Sequence, residues 1–266
     1  MTKEHRAFVV AHEAHNPPGG GCIIYCTGKY EIGNPHSHRW NAGKQAKAEK
    51  RVPYNDYNQW KSQKINLEGW QPKHVARLAA EGGFSGTPTA TTGNIKPFYR
   101  SFYPFNHNAH HIIPTSNLEG AIDQVVSMAK KNQDNMRNLV VGGLLSEPYN
   151  NNDKPNMIVL PTRRADARKL GLPIHTDGSC DHPKYRDMMS AQLMAEFPPK
   201  YSGMAGEVSS AKHDAKIKAP ALKSTLVGIS TSMYDAIISL AMARKNLGES
   251  LDAVESELNA LSQAGK

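Results

Sequence analysis

Apolar residues recur along this chain in short bursts, and their spacing predicts the elements that carry them. Leu118, Ile122, Val125 and Ala129 follow one another at 4-3-4 spacing with Met128 beside them. That period puts them on one face of a helix over 118–131, with Ser116 or Asn117 as its cap. A second helical piece over about 133–145 is interrupted by Gly142-Gly143. PKHVARLAAEGG (72–83) has a proline for the first turn and a Gly-Gly stop, and HPKYRDMMSAQLMAEF (182–197) ends at Pro198-Pro199. NMIVLP (156–161) is a short strand bounded by prolines at 155 and 161, and Cys22–Tyr25 reads as another strand. NAGKQAKAEKR (41–51) is a basic helix, and RRADARKLG a short basic helix or turn. YSGMAGEVSSAKHDAKIKAPA reads as linker. SMYDAIISLAMARKNLGES and LDAVESELNALSQ then make a helical hairpin, with Leu251, Val254, Leu258 and Leu261 on one stripe. That hairpin either packs on the body or presents a homodimer or partner surface. The pattern divides the chain into a loop-rich region with a basic helix and an aromatic segment (1–107), a core (108–199), and a linker with the C-terminal hairpin (200–266).

With 266 residues, 39% hydrophobic and 21% charged, the chain is long enough for a sizeable core without staples. No apolar run reaches the roughly 20 residues of a membrane span. The N-terminus carries charge and histidine where a signal peptide is apolar, so synthesis in the cytoplasm without a cleaved signal is expected, with delivery by a secretion machine still open. A net charge of +8 allows a polyanionic partner but does not demand one. Three cysteines are too few for a disulfide framework, so reduced thiols are expected. Cys22, Cys26, His36 and His38 offer zinc-ligand chemistry at an unusual spacing, against half-buried thiols and loop histidines as the plainer reading. A disulfide between Cys22 and Cys26, four apart in a strand, is awkward.

The segment NAHHIIP (108–114) sets two histidines before two isoleucines and a proline. Neighbouring strand residues face opposite ways, so His110 and His111 cannot share one role. Downstream come Asn156 at the head of the second strand and His175 and His182 in HTDGSCDHPKY, which leads into a helix. The order is strand, connection, strand, loop, helix. Surface pairing beside a core Ile pair would account for the two histidines alone, but less well for the whole set.

AHHIIP, NMIVLP and HTDGSCDHPKY together resemble the AHH nucleases of the HNH/endonuclease VII superfamily, over about 109–195. This resemblance implies an HNH-type ββα-metal core, which with the additional helices and the C-terminal hairpin read from the apolar spacing makes an α+β, mainly helical protein. It implies His110, His175 and His182 as ligands of one divalent ion (Mg, Zn, Ni or Mn), His111 as general base, and Asn156 as the residue that orients it. The spacer TDGSCD between the last two histidines is longer than the family's usual segment, so Asp177 or Asp181 is an alternative ligand. Arg163, Arg164, Arg168 and Lys169 are the better candidates for nucleic-acid contact, ahead of Lys44, Lys47, Lys50 and Arg51. The aromatic run Phe98–Phe105 reads as core packing. The implied activity is endonucleolytic hydrolysis of DNA, with RNA as the alternative substrate, in an antibacterial toxin such as a type VI effector countered by an immunity protein. A nucleic-acid-modifying transferase and a non-catalytic, metal-stabilised binding protein are the other readings.

Overall fold

A computed structural model describes residues 15–16, 21–23, 30–52, 54, 65–66, 68, 71–80, 87, 89, 92–93, 96–175, 182–210, 217–243 and 248–264. The architecture is α+β and mainly helical. In chain order the elements are β1 (His15–Asn16), β2 (Gly21–Cys22), α1 (His38–Ala48), β3 (Ile65–Asn66), α2 (Pro72–Ala80), β4 (Thr92–Gly93), β5 (His107–His111), α3 (Thr115–Met128) and α4 (Gln133–Ser146). They continue with β6 (Met157–Pro161), α5 (Arg164–Leu170), α6 (Pro183–Glu196), α7 (Ser202–Ser210), α8 (Lys223–Ala243) and α9 (Glu255–Ala264). The strands pair as three antiparallel two-stranded ribbons, β1 with β2, β3 with β4, and β5 with β6.

The β5–β6 ribbon is the centre of the molecule. Its register pairs His107 with Pro161, His110 with Ile158 and His111 with Met157. Every residue of β6 is buried, as expected for a strand covered on both faces. α1 packs on the ribbon. Its inward residues are small (Ala42, Gly43, Ala46), so the helix comes close: a Cβ on Gly43 would stand 3.2 Å from Phe98 Cβ. Ser37 caps α1 by accepting from the Trp40 N–H at 3.2 Å. Of the aromatic run, Phe98, Tyr99, Tyr103 and Phe105 are buried and Phe102 is exposed.

Beyond the ribbon, Ile112 and Ile113 are wholly buried and α3 lays Leu118, Ala121, Ile122 and Val125 into the same core. α3 begins at Thr115 after Pro114, ahead of the expected cap, and Asn117 lies inside the helix and donates to the Arg186 carbonyl at 2.7 Å. α4 runs unbroken through Gly142-Gly143. Close packing explains this, since a Cβ on Gly143 would come within 2.5 Å of Ala219 Cβ. The expected linker contains α7, whose Ala205 and Val208 are buried. α8 begins at Lys223, earlier than its apolar pattern suggested, and is long and apolar enough to cross a membrane by length and composition. More than half of its most apolar stretch is buried here, with Leu226, Ile229, Met233 and Ile237 facing inward as a core helix would. α9 packs against α8, with Leu251, Val254 and Leu258 buried and Leu261 exposed. The C-terminal hairpin therefore packs on the body.

Candidate metal centre

Three histidines from three parts of the chain converge beside the ribbon. His110 comes from β5, His175 from the segment after α5, and His182 from the position preceding α6. Their ligand nitrogens lie within 4.8 Å of one another. His110 Nδ1 and His175 Nε2 share a hydrogen bond at 3.0 Å. The ring centroids are 4.8 to 5.1 Å apart and the planes meet at 71°, 83° and 85°. The rings thus meet edge to face around a shared space. Tyr185 closes one side, 5.3 Å from His110 and 5.6 Å from His182, with its hydroxyl donating to the Ile112 carbonyl at 2.9 Å.

Backbone contacts hold each ring in place. The His175 N–H donates to the Pro161 carbonyl (2.9 Å), which ties it to the end of β6. Ile174 donates to Glu249 O (2.8 Å) and accepts from the Leu251 N–H (3.3 Å). His182 occupies the N-cap position of α6 with Pro183 behind it, but its side chain makes no cap hydrogen bond. Asp252 does that work, accepting from the Tyr185 N–H at 2.9 Å. His182 is left to turn its imidazole toward the other two. Residues 249–252, after the hairpin turn, thus brace the mounts of two of the three histidines.

Burial, with His175 and His182 beside it, pushes His110 well below the usual histidine range. Burial and His182 lower His175 to about 4. These imidazoles are neutral near pH 7, the form that binds metal. His110 Nε2 and His175 Nδ1 are buried without a hydrogen-bond partner among the described residues. Buried orphan nitrogens in a trio of converging imidazoles fit a divalent cation of the Zn, Ni or Mn type, and three protein ligands leave room for a further oxygen. Asp177 and Asp181, the alternative ligands, lie outside the described residues, as does Cys180.

His111 stands on the other face of β5. Its Nε2 lies 3.0 Å from Asn152 Oδ1, so Nε2 carries the proton and Nδ1 the lone pair. It stacks on His38 with centroids 5.4 Å apart and planes at 26°. Burial lowers its pKa and the Asn152 hydrogen bond works against that. It is close enough to His110 to disfavour charge there.

The residue that orients His111 is therefore Asn152, which corrects the expectation for Asn156. Asn156 instead clamps backbone: its Oδ1 accepts from the Ile113 N–H (2.7 Å) and Ser230 Oγ (2.9 Å), and its Nδ2 donates to Ile113 O, Asn151 O and Asn151 Oδ1. It joins the exit of β5, the approach to β6 and helix α8. Asn152 was missed because it sits in an irregular loop. The signal was the run Asn150-Asn151-Asn152, whose side chains all enter buried hydrogen bonds.

The cysteine expectation also changes. Cys22 is disulfide-bonded, and its partner cysteine lies outside the described residues. A bonded Cys22 cannot serve as a zinc thiolate, and His38 is engaged with His111, so a zinc site on Cys22, Cys26, His36 and His38 loses two of its four members. Arg163, Arg164, Arg168 and Lys169 are all exposed on or just before α5, between β6 and His175. Arg163 donates from Nη1 and Nε to the Asn106 amide oxygen (3.2 Å each), and Arg164 to Gly248 O (3.3 Å). Arg51 is committed to Glu49 and Asp235, both at 2.9 Å, which weakens the α1 group as an anion contact.

No family model, curated protein or solved structure matches this chain.

Proposed function

We propose that the chain is a metal-dependent endonuclease of the HNH/AHH type that hydrolyses DNA phosphodiester bonds. The observation that carries this reading is the convergence of His110, His175 and His182, from strand, loop and helix start, within 4.8 Å of one another. A divalent ion on these three rings would supply charge stabilisation for the phosphate and its leaving oxygen. The chain's own groups do the rest. His111 Nδ1, the unprotonated nitrogen, takes the proton of the attacking water. Asn152 holds that tautomer through Nε2. His111, His175 and His182 are each partly exposed, His111 on the opposite face of β5 from His110. Arg163, Arg164, Arg168 and Lys169 supply positive charge near the triad for the flanking backbone.

An antibacterial toxin role, with an immunity protein guarding the producing cell, follows from the family resemblance alone. The test is plasmid cleavage by purified protein with and without EDTA, adding back Mg, Mn, Ni and Zn singly. The expected outcome is loss of supercoiled DNA that EDTA and His111→Ala both abolish.

A second reading is a metal site kept for stability in a non-catalytic binding protein. The placement of His111 across the strand from the triad favours it. In that case His111→Ala leaves function intact while His175→Ala lowers thermal stability.

A further inference from the structure

Beside β5, away from the triad, a pocket is lined by Arg39, Ser101, His107 and Asn108, with Phe98 and Val159 at its base. Arg39 sits in the first turn of α1 and is half-buried. It makes no hydrogen bond or ion pair among the described residues, and neither do the side chains of Ser101 and Asn108. His107 fixes its own ring by donating Nδ1–H to the Phe105 carbonyl at 2.7 Å. No carboxylate lines the pocket among the described residues.

A half-buried guanidinium with no carboxylate beside it among the described residues can take an anion without giving up a partner. Here Arg39, with its planar fork of donors, and Ser101 line one space on the His107 face of β5. That set matches a phosphate oxyanion, which arginine binds through two parallel N–H donors. Position adds to chemistry. His107, Ala109 and His111 share one face of β5, so the pocket opens on the side of the ribbon that carries His111.

We propose that Arg39 and Ser101 form a subsite for a phosphate flanking the scissile one in a nucleic-acid strand. The proposal rests on the nuclease reading for the word scissile. The pocket would make the substrate a polymer rather than a mononucleotide, because a single phosphate cannot occupy both places.

The test leaves metal and cleavage out. A fluorescein-labelled single-stranded 12-mer is titrated in EDTA with wild type, Arg39→Ala and Arg39→Lys, by anisotropy at several salt concentrations. Thermal unfolding of each variant runs alongside; since Arg39 holds no partner, the midpoints should agree. The subsite predicts about fivefold weaker binding by Arg39→Ala and a log–log salt slope shallower by about 0.7, one phosphate contact on a single strand. Arg39→Lys keeps the slope and recovers only part of the affinity. Equal affinity and slope in all three proteins overturns the subsite. So does protection of wild type, and not Arg39→Ala, by inorganic phosphate when oligonucleotide affinity is unchanged, because the pocket would then be a free-phosphate site. Weaker binding by Arg39→Ala in a protein that cleaves nothing keeps a phosphate-contacting pocket and rejects the nuclease. Plasmid cleavage with unchanged Arg39→Ala binding does the reverse.

Discussion

Asn152 and Asn156 are four residues apart and do different work, and substitution separates them. Asn156 satisfies both backbone groups of Ile113 and the Ser230 hydroxyl inside the core. Asn156→Ala leaves these buried groups unpaired, so it is expected to cost about 2–4 kcal/mol in urea unfolding. Asn152→Ala should bind metal and lose turnover, because the tautomer of His111 depends on it, and the loss of its Nδ2 bond to Cys22 Sγ (3.5 Å) should cost some stability as well. His107 contributes to a pH dependence that His110 and His175, lowered in the same direction, share in metal-free protein. Burial holds His107 at about 4, with the charge of Arg39 acting in the same direction and the Phe105 hydrogen bond opposing. The unfolded chain protonates near 6.5, so between 6.5 and 4 it binds more protons than the native state, and stability falls as pH falls through that window. Between pH 7 and 5 this residue is worth about 2 kcal/mol at most. The urea midpoint in EDTA should drop on acidification, and His107→Gln should flatten the drop. A midpoint slope unchanged by His107→Gln would contradict the assignment.

At the scale of elements, the sequence made the periodic pieces readable and hid the ones fixed by packing. The spacing of Leu118, Ile122 and Val125 located α3, and Pro155 and Pro161 bounded β6. α4 was harder, because Gly142-Gly143 looks like a break until Ala219 is seen against it. α7 was read as linker because Ser and Gly dilute its pattern and only Ala205 and Val208 turn inward. The turn at Gly171 is similar. It takes φ +70°, and a Cβ there would come within 2.9 Å of Ala241 O, a contact made by α8 about seventy residues later. Asp252 acts at this scale too. It caps α6 from beyond α8, and the neighbouring backbone of Glu249 and Leu251 holds Ile174. Asp252→Ala should weaken metal binding about 10-fold or more through a misplaced His182, and Asp252→Asn, which keeps an oxygen acceptor, should recover most of it. Equal metal affinity in Asp252→Ala and wild type would show that the cap does not position the site.

The whole molecule is a ribbon with chemistry on both faces, held between α1 and the later helices. The three histidines were picked out by the family resemblance of their motifs together with their order on strand, loop and helix start, and the structure brings them within 4.8 Å of one another. What could not be read was which face each would meet. Period-2 alternation separates His110 from His111 but does not say that α1 brings His38 and that a loop brings Asn152. The disulfide at Cys22 was also out of reach, since its partner depends on the fold. The account's central claim is that the triad holds one divalent ion, and calorimetric titration of Zn or Ni into chelator-stripped protein tests it most directly. One equivalent bound by wild type and lost in His110→Ala and His175→Ala is the predicted result. No binding by wild type, or stoichiometry and affinity unchanged in both variants, would contradict it.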